Sequence, residues 1–256
     1  MKNLINWKMF FVLLAACVIA SVLVMPYSFA LTSIEIEITP KIIFLGAIQN
    51  LALFAIAIFV GLLLSKRIGM GLPILQGVLE GKNQTKEFKS ILLPSISLGI
   101  LAGVLIVLLS IPFDKLIPDF QILKESTAAW KALLASFYGG IAEEVLLRLF
   151  LVSLFVWIIW KIKKDKDGSP TALGIWLSII LASVFFGLGH LPATAQITSL
   201  TGIVIARAII LNGIGGIIFG WLYWKKGLES AIIAHFSTDI VLHVITPFIV
   251  SLTGGP

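Results

Sequence analysis

Seven long apolar runs divide this chain, and a lipid bilayer is the one solvent that suits them all. An α-helix rises about 1.5 Å per residue, so about twenty apolar residues cross roughly 30 Å of hydrocarbon. Lipid offers no partner for a backbone amide, so each run must close its hydrogen bonds internally, as a helix. The runs fall at about 9–30, 42–65, 90–112, 127–160, 171–190, 200–223 and 228–250. Charge is scarce: 12% of the 256 residues are charged and 59% are hydrophobic, against about 25% charged in a soluble domain. A chain this poor in charge cannot cover a water-facing surface. The expected fold is all-α, a polytopic transmembrane helix bundle of about seven spans, with an eighth left open in 66–89 or 190–200. There is no room for a sizeable soluble domain. One cysteine, Cys17, excludes an internal disulfide and a multi-cysteine zinc site.

The net charge of +6 is distributed as topology rather than as a binding stripe. With the N-terminus inside, the segments 1–8, 66–89, 161–170 and 224–227 hold thirteen of the nineteen Lys and Arg residues. The opposite side holds Lys41, Lys115, Lys124 and Lys131. The positive-inside rule therefore predicts a cytoplasmic N-terminus in a multi-pass protein of the cell membrane. No zinc finger, helix-turn-helix or phosphate loop interrupts the runs, so nucleic acid is not an expected partner. Lys2, Lys8 and Ser28-Phe29-Ala30 have the form of a secretory signal. The apolar stretch is long for one, which favours an uncleaved first helix. Segment 66–89 mixes Leu and Ile with Lys, Gly and Glu and suits the inner interface. Segment 113–126, with Asp114, Pro118 and Asp119, reads as a plain outer loop.

A charged side chain at the bilayer centre costs about 2.5–3.5 kcal/mol on insertion scales, so each is a functional candidate. Glu143, Glu144, Arg148, Arg207, His235 and Asp239 lie within spans, and His190 ends the fifth. Glu144 and Arg148 share a helix face at i, i+4, whereas Glu143 points about 100° away. Gly139 and Gly140, one turn earlier, permit close helix approach. A structural salt bridge would explain Glu144 and Arg148, but a second buried acid without a partner is expensive. Phe186 and His190 share a face, and Pro192 ends that helix soon after. His235 and Asp239 also stand at i, i+4, and His243 extends the stripe. A hydrogen-bonded pair tying two helices together is the bland reading of each. Together they require a shared wet cavity.

These residues suit two chemistries. A carboxylate base, a histidine and hydrogen-bond donors could activate water for attack on an amide. Two histidines and a carboxylate could instead hold a divalent metal ion such as zinc, with Glu as base. The metal candidates are Glu143, His190, His235 and Asp239, and the sequence leaves both chemistries open. There is no Gly-x-Ser-x-Gly elbow and no His-Glu-x-x-His motif.

Glu143-Glu144-x-x-x-Arg148, Phe186-x-x-x-His190 and His235-x-x-x-Asp239, in this order on successive helices, resemble the signature of the CPBP intramembrane endopeptidases. That family includes type II CAAX prenyl endopeptidases and bacteriocin-processing and self-immunity proteins. The run from Gly215 through Gly220 and Tyr223 to Ser230 is similar to the family's approach to its last motif. The resemblance covers about 127–246, dividing the chain into N-terminal helices at 1–126 and a catalytic core at 127–250. It implies hydrolysis of a peptide bond in a membrane-associated peptide, of prenylated CAAX type or bacteriocin-like. It implies Glu143 as the base and His190 as the residue that positions the water. Glu144 and Arg148 would support the motif, and His235 with position 239 would stabilise the oxyanion. The family commonly has Asn where this chain has Asp239, and an ionised Asp cannot donate to an oxyanion. The rival classes are a proton- or ion-coupled transporter and a catalytically silent relative that binds a peptide and confers immunity.

Three expectations concern packing. Gly216 and Gly220 should let the sixth span pack tightly. Arg207 either pairs with an acid of the site, such as Asp239, or lies near the outer interface. Counting from the span ends places Glu143 and His190 about 10–15 Å deeper than His235, so the fourth and fifth helices should project beyond the inner surface.

Overall fold

The computed structural model describes residues 5–31, 39–117 and 128–252. Seven of its helices are long and apolar enough to cross a membrane: α1 Trp7–Ala30, α2 Pro40–Ile68, α4 Thr85–Leu116, α5 Ala129–Ile162, α6 Ala172–Thr194, α7 Gly202–Lys226 and α8 Leu228–Leu252. They match the seven expected runs. Segment 66–89 does not span: Gly69, in the left-handed conformation at φ 74°, closes α2, and the seven-residue helix α3 (Pro73–Leu79) follows. The all-α class holds, with no named strand among the described residues.

Small residues decide which helices touch most closely. A Cβ on Gly216 would meet Ser183 Oγ at 2.5 Å, and one on Gly220 would meet Ile179 Cγ2 at 2.7 Å. The expected glycine pair thus seats α7 directly on α6. Helix α4 approaches α8 in the same way at Gly99, whose carbonyl accepts from Thr238 Oγ1 at 2.8 Å. Ser95 and Ser230 hydroxyls meet at 2.6 Å across that interface. Without a hydrophobic force between helices in lipid, such close packing and polar stitching provide the association. The faces turned away carry exposed Phe44, Leu93, Leu108 and Ile180, as a lipid-facing surface requires.

One expectation needs correction, and one open alternative is narrowed. Asp114 is not part of a loop: α4 continues to Leu116, and Asp114 is buried there. Its Oδ1 lies 3.1 Å from Arg207 Nη2, so Arg207 reaches across to α4 rather than to Asp239. A helix end in a low-dielectric setting is where an acid and an arginine on neighbouring helices find each other. The remainder of the expected loop, with Pro118 and Asp119, lies outside the described residues.

The junction before α8 is tied to the first half of the chain. Leu228 N donates to the Gly71 carbonyl at 2.9 Å. Glu229 Oε1 accepts from Leu75 N at 2.8 Å, capping the start of α3. The depth mismatch expected from the sequence is real. Glu144 stands eighteen residues from the end of α5 at Ile162, and His235 seven from the start of α8 at Leu228, yet their side chains touch. Helix α5 therefore runs about 15 Å past the start of α8.

Candidate active site

The centre of α5 is wound as a π-helix, over Tyr138–Glu143 and again over Val145–Val152. An i→i+5 turn holds more residues than an α-turn, so neighbouring side chains diverge by less than the usual 100°. That brings Glu143 and Glu144, adjacent in sequence, toward the same imidazole on α8. The single-turn π-helix is a recurrent feature of functional sites.

Glu144 is fully buried, and its Oε1 lies 2.7 Å from His235 Nδ1 and 2.8 Å from an Arg148 guanidinium nitrogen. Arg148, 2% exposed, lies under the faces of Phe186 and Phe219, 5.0 and 5.3 Å from their centroids. A guanidinium tolerates such a site because the ring quadrupoles attract it and the carboxylate balances its charge. Glu144 Oε1 accepts from His235 Nδ1, so that ring nitrogen is the one that carries the proton facing α5. The ring is fixed on both sides, stacked on Phe219 at 4.7 Å and edge-on to Phe186 at 5.6 Å.

Nε2 of His235 then faces the other two acids. It lies 3.8 Å from Glu143 Oε2 and 3.7 Å from Asp239 Oδ1. Both separations are too long for a direct hydrogen bond and suit one bridging water. Gly139 makes room for this group: a Cβ there would collide with Asp239 Oδ2 and come within 3.2 Å of His235 Nε2.

His190 stands at the edge of this cluster. Its Nδ1 is 2.8 Å from the Phe186 carbonyl, which can only accept, so Nδ1 donates and Nε2 keeps its lone pair. Its ring packs edge-on against Phe186 at 4.9 Å, on the same phenyl that touches His235 and Arg148. Among the described residues it has no carboxylate within ion-pairing distance. His243 packs on Tyr27 of α1, ring centroids 5.8 Å apart, within electrostatic reach of His190, His235 and Glu143. His243 lies in a further π stretch, Ile240–Ile245, that follows Asp239 in α8. The structure thus gathers Glu143, Glu144, Arg148, His235 and Asp239, and puts His190 beside them through Phe186.

Sequence reasoning missed Phe219 and Tyr27. Phe219 lies inside the Gly215–Gly220 run, where a lone aromatic among glycines was the available signal. Tyr27 carries no local signal.

Among the described residues no three His, Cys, Asp or Glu side chains converge to hold a metal ion. His235 Nδ1 and His190 Nδ1 are each engaged with protein oxygens, which leaves the Nε2 side of both rings to meet a water or an ion.

Fold and site together define a polytopic membrane protein with a carboxylate–histidine centre buried between spans of its second half. Residues 125–241 match the family model described as type II CAAX prenyl endopeptidase Rce1-like. The match covers the motif-bearing segment and supports the CPBP resemblance of the sequence. The family supports a peptidase at the general level. No curated protein and no solved structure matches the chain.

Proposed function

We propose that the protein is an intramembrane endopeptidase that uses a water activated by Glu143. The observation that carries this reading is the three-sided arrangement of Glu143 Oε2, His235 Nε2 and Asp239 Oδ1, with gaps of 3.8 and 3.7 Å about the imidazole. A water seated there gives a proton to Glu143, and its oxygen attacks the scissile carbonyl. The carbonyl oxygen, as it gains charge, receives hydrogen bonds from Nε2–H of a doubly protonated His235 and from a protonated Asp239. The proton on Glu143 then passes to the departing amine, and the C–N bond breaks. Glu144 and Arg148 act as positioning residues that hold the imidazole plane and its Nδ1 proton. His190 offers the Nε2 lone pair at the edge, where it orients the water or the incoming peptide.

The family's name makes prenylated CAAX peptides the first substrate class to try, with other membrane-associated peptides beside them. The basic helix ends favour the cell membrane with the N-terminus in the cytoplasm. Residues 127–250 form the catalytic core in this reading, and 1–126 support it. The test is cleavage of such a peptide panel by the full chain in detergent or liposomes, with and without a chelator. Wild type should cleave, and Glu143→Ala and His235→Ala should not. Full activity in both variants would sink the assignment, and loss on chelation would show that a metal is needed after all. Proton flux in proteoliposomes abolished by Glu143→Gln would point to a transporter instead.

A further inference from the structure

At the end of the bundle that carries most of its Lys and Arg, a cleft of about 880 Å³ opens between the ends of α1, α2 and α7 and the helix α3. None of the site residues lines it. We propose that this cleft binds the headgroup of an anionic phospholipid, its phosphate set among lysines and the start of its acyl chains against the apolar wall.

Four cations line the cleft: Lys8 from α1, Lys66 from α2, and Lys225 and Lys226 from α7. The carboxylate among the lining residues, Glu80, lies 2.6 Å from Lys82 and is balanced by it. Lys225 rests over its neighbour Trp224, with Nζ 3.4 Å from the ring centroid. Among the described residues, the lysines lining the cleft thus bring positive charge together from three separate helices. A positive potential concentrated in a cleft between transmembrane helices draws an anionic headgroup.

The rest of the wall argues for an amphiphile over a soluble anion. Met9, Leu62 and Leu72 give it a buried apolar side. Trp7, 52% exposed, and Trp224 stand at the rim, and tryptophan concentrates at the level of lipid headgroups. A free phosphate would use the lysines and leave the apolar wall unmatched. A lipid uses both.

The test is lipid binding by native mass spectrometry on the full chain in a neutral detergent. Phosphatidylglycerol and phosphatidylcholine with the same acyl chains are compared, and soluble glycerol phosphate is the competitor. Phosphatidylglycerol should bind at least tenfold more tightly than phosphatidylcholine, and glycerol phosphate should not displace it. Each lysine near a membrane surface contributes about 1 kcal/mol, or about fivefold. Replacing Lys8, Lys66 and Lys226 together by Gln should therefore abolish the preference. The single variant Lys66→Gln, expected to weaken it about fivefold, serves if the triple variant does not fold. Lys161→Gln, Lys163→Gln and Lys164→Gln combined remove three charges from the same end outside the cleft, and should leave binding intact. Equal binding of the two lipids, equal weakening by this control, or displacement by glycerol phosphate would each overturn the proposal. The readout is independent of peptidase activity.

Discussion

Glu144 and His235, 91 residues apart in sequence, are joined by a contact of 2.7 Å in the middle of the bundle. It fixes the height of α8 against α5 and aims one imidazole nitrogen at the two remaining acids. Arg148 pairs with the same carboxylate oxygen at 2.8 Å, so one buried carboxylate ties the imidazole to the guanidinium.

The two adjacent glutamates should therefore fail in different ways. Glu144→Gln leaves a buried guanidinium without its counter-charge, a loss of about 3–5 kcal/mol. It should lower the thermal unfolding temperature in detergent as well as the cleavage rate. Glu143, with 23% of its side chain exposed and within ion-pairing distance of His235 rather than of Arg148, should tolerate Gln with little change in unfolding. Its peptidase activity should fall about 10²–10⁴-fold, the usual contribution of a general base. Equal destabilisation by both variants would remove the distinction.

Asp239 can donate to an oxyanion only when protonated, whereas an asparagine amide always can. Activity of the wild type should decline as pH rises through the ionisation of Asp239. Asp239→Asn should keep activity and lose that alkaline limb. Rate–pH profiles of the two proteins decide it, and superimposable profiles would remove Asp239 from the oxyanion role.

Gly139→Ala should be costly because the added methyl meets Asp239 and His235. Overpacking of this kind costs about 1–3 kcal/mol. Combining it with Asp239→Ala should recover part of that loss, since the colliding carboxylate is gone. A double-mutant cycle on unfolding in detergent measures the coupling, and strict additivity would contradict the contact.

Arg207 and Asp114 pair at 3.1 Å between α7 and α4, far along α4 from Gly99, which meets α8 at Ala234, next to His235. Arg207→Ala should lower stability by about 1–3 kcal/mol, less than a fully buried pair because the arginine side chain is 20% exposed. The cleavage rate per folded molecule should stay within about twofold of wild type, the usual neutrality of a change away from the reacting groups. A loss of rate without a loss of stability would tie this pair to the chemistry.

Seven helices were legible because apolar length is a local property and the bilayer sets its scale. The site was legible in composition, because Glu143, Glu144, His235 and Asp239 have no inexpensive place in lipid unless they share one. Its angular arrangement was not. Reading α5 with 3.6 residues per turn separates the two glutamates by about 100°, and the π stretch that brings both to His235 leaves no plain mark in Tyr138–Val152. The partner of Arg207 was not legible for a related reason: Asp114 was read as loop, whereas α4 runs through Pro112 to Leu116 and carries Asp114 on it. The lysine cleft was invisible because its cations come from helices far apart in the chain.

The hydrogen bonds from Leu228 to Gly71 and from Leu75 to Glu229 act as a depth stop for the last helix. They make the chain between α2 and α4 the ledge on which α8 rests, and so determine the level at which His235 meets Glu144. Residues 125–241 contain the whole motif but not the ledge. Expressed alone, that segment would carry all the letters of the motif and lack the stop that sets the depth of its last helix.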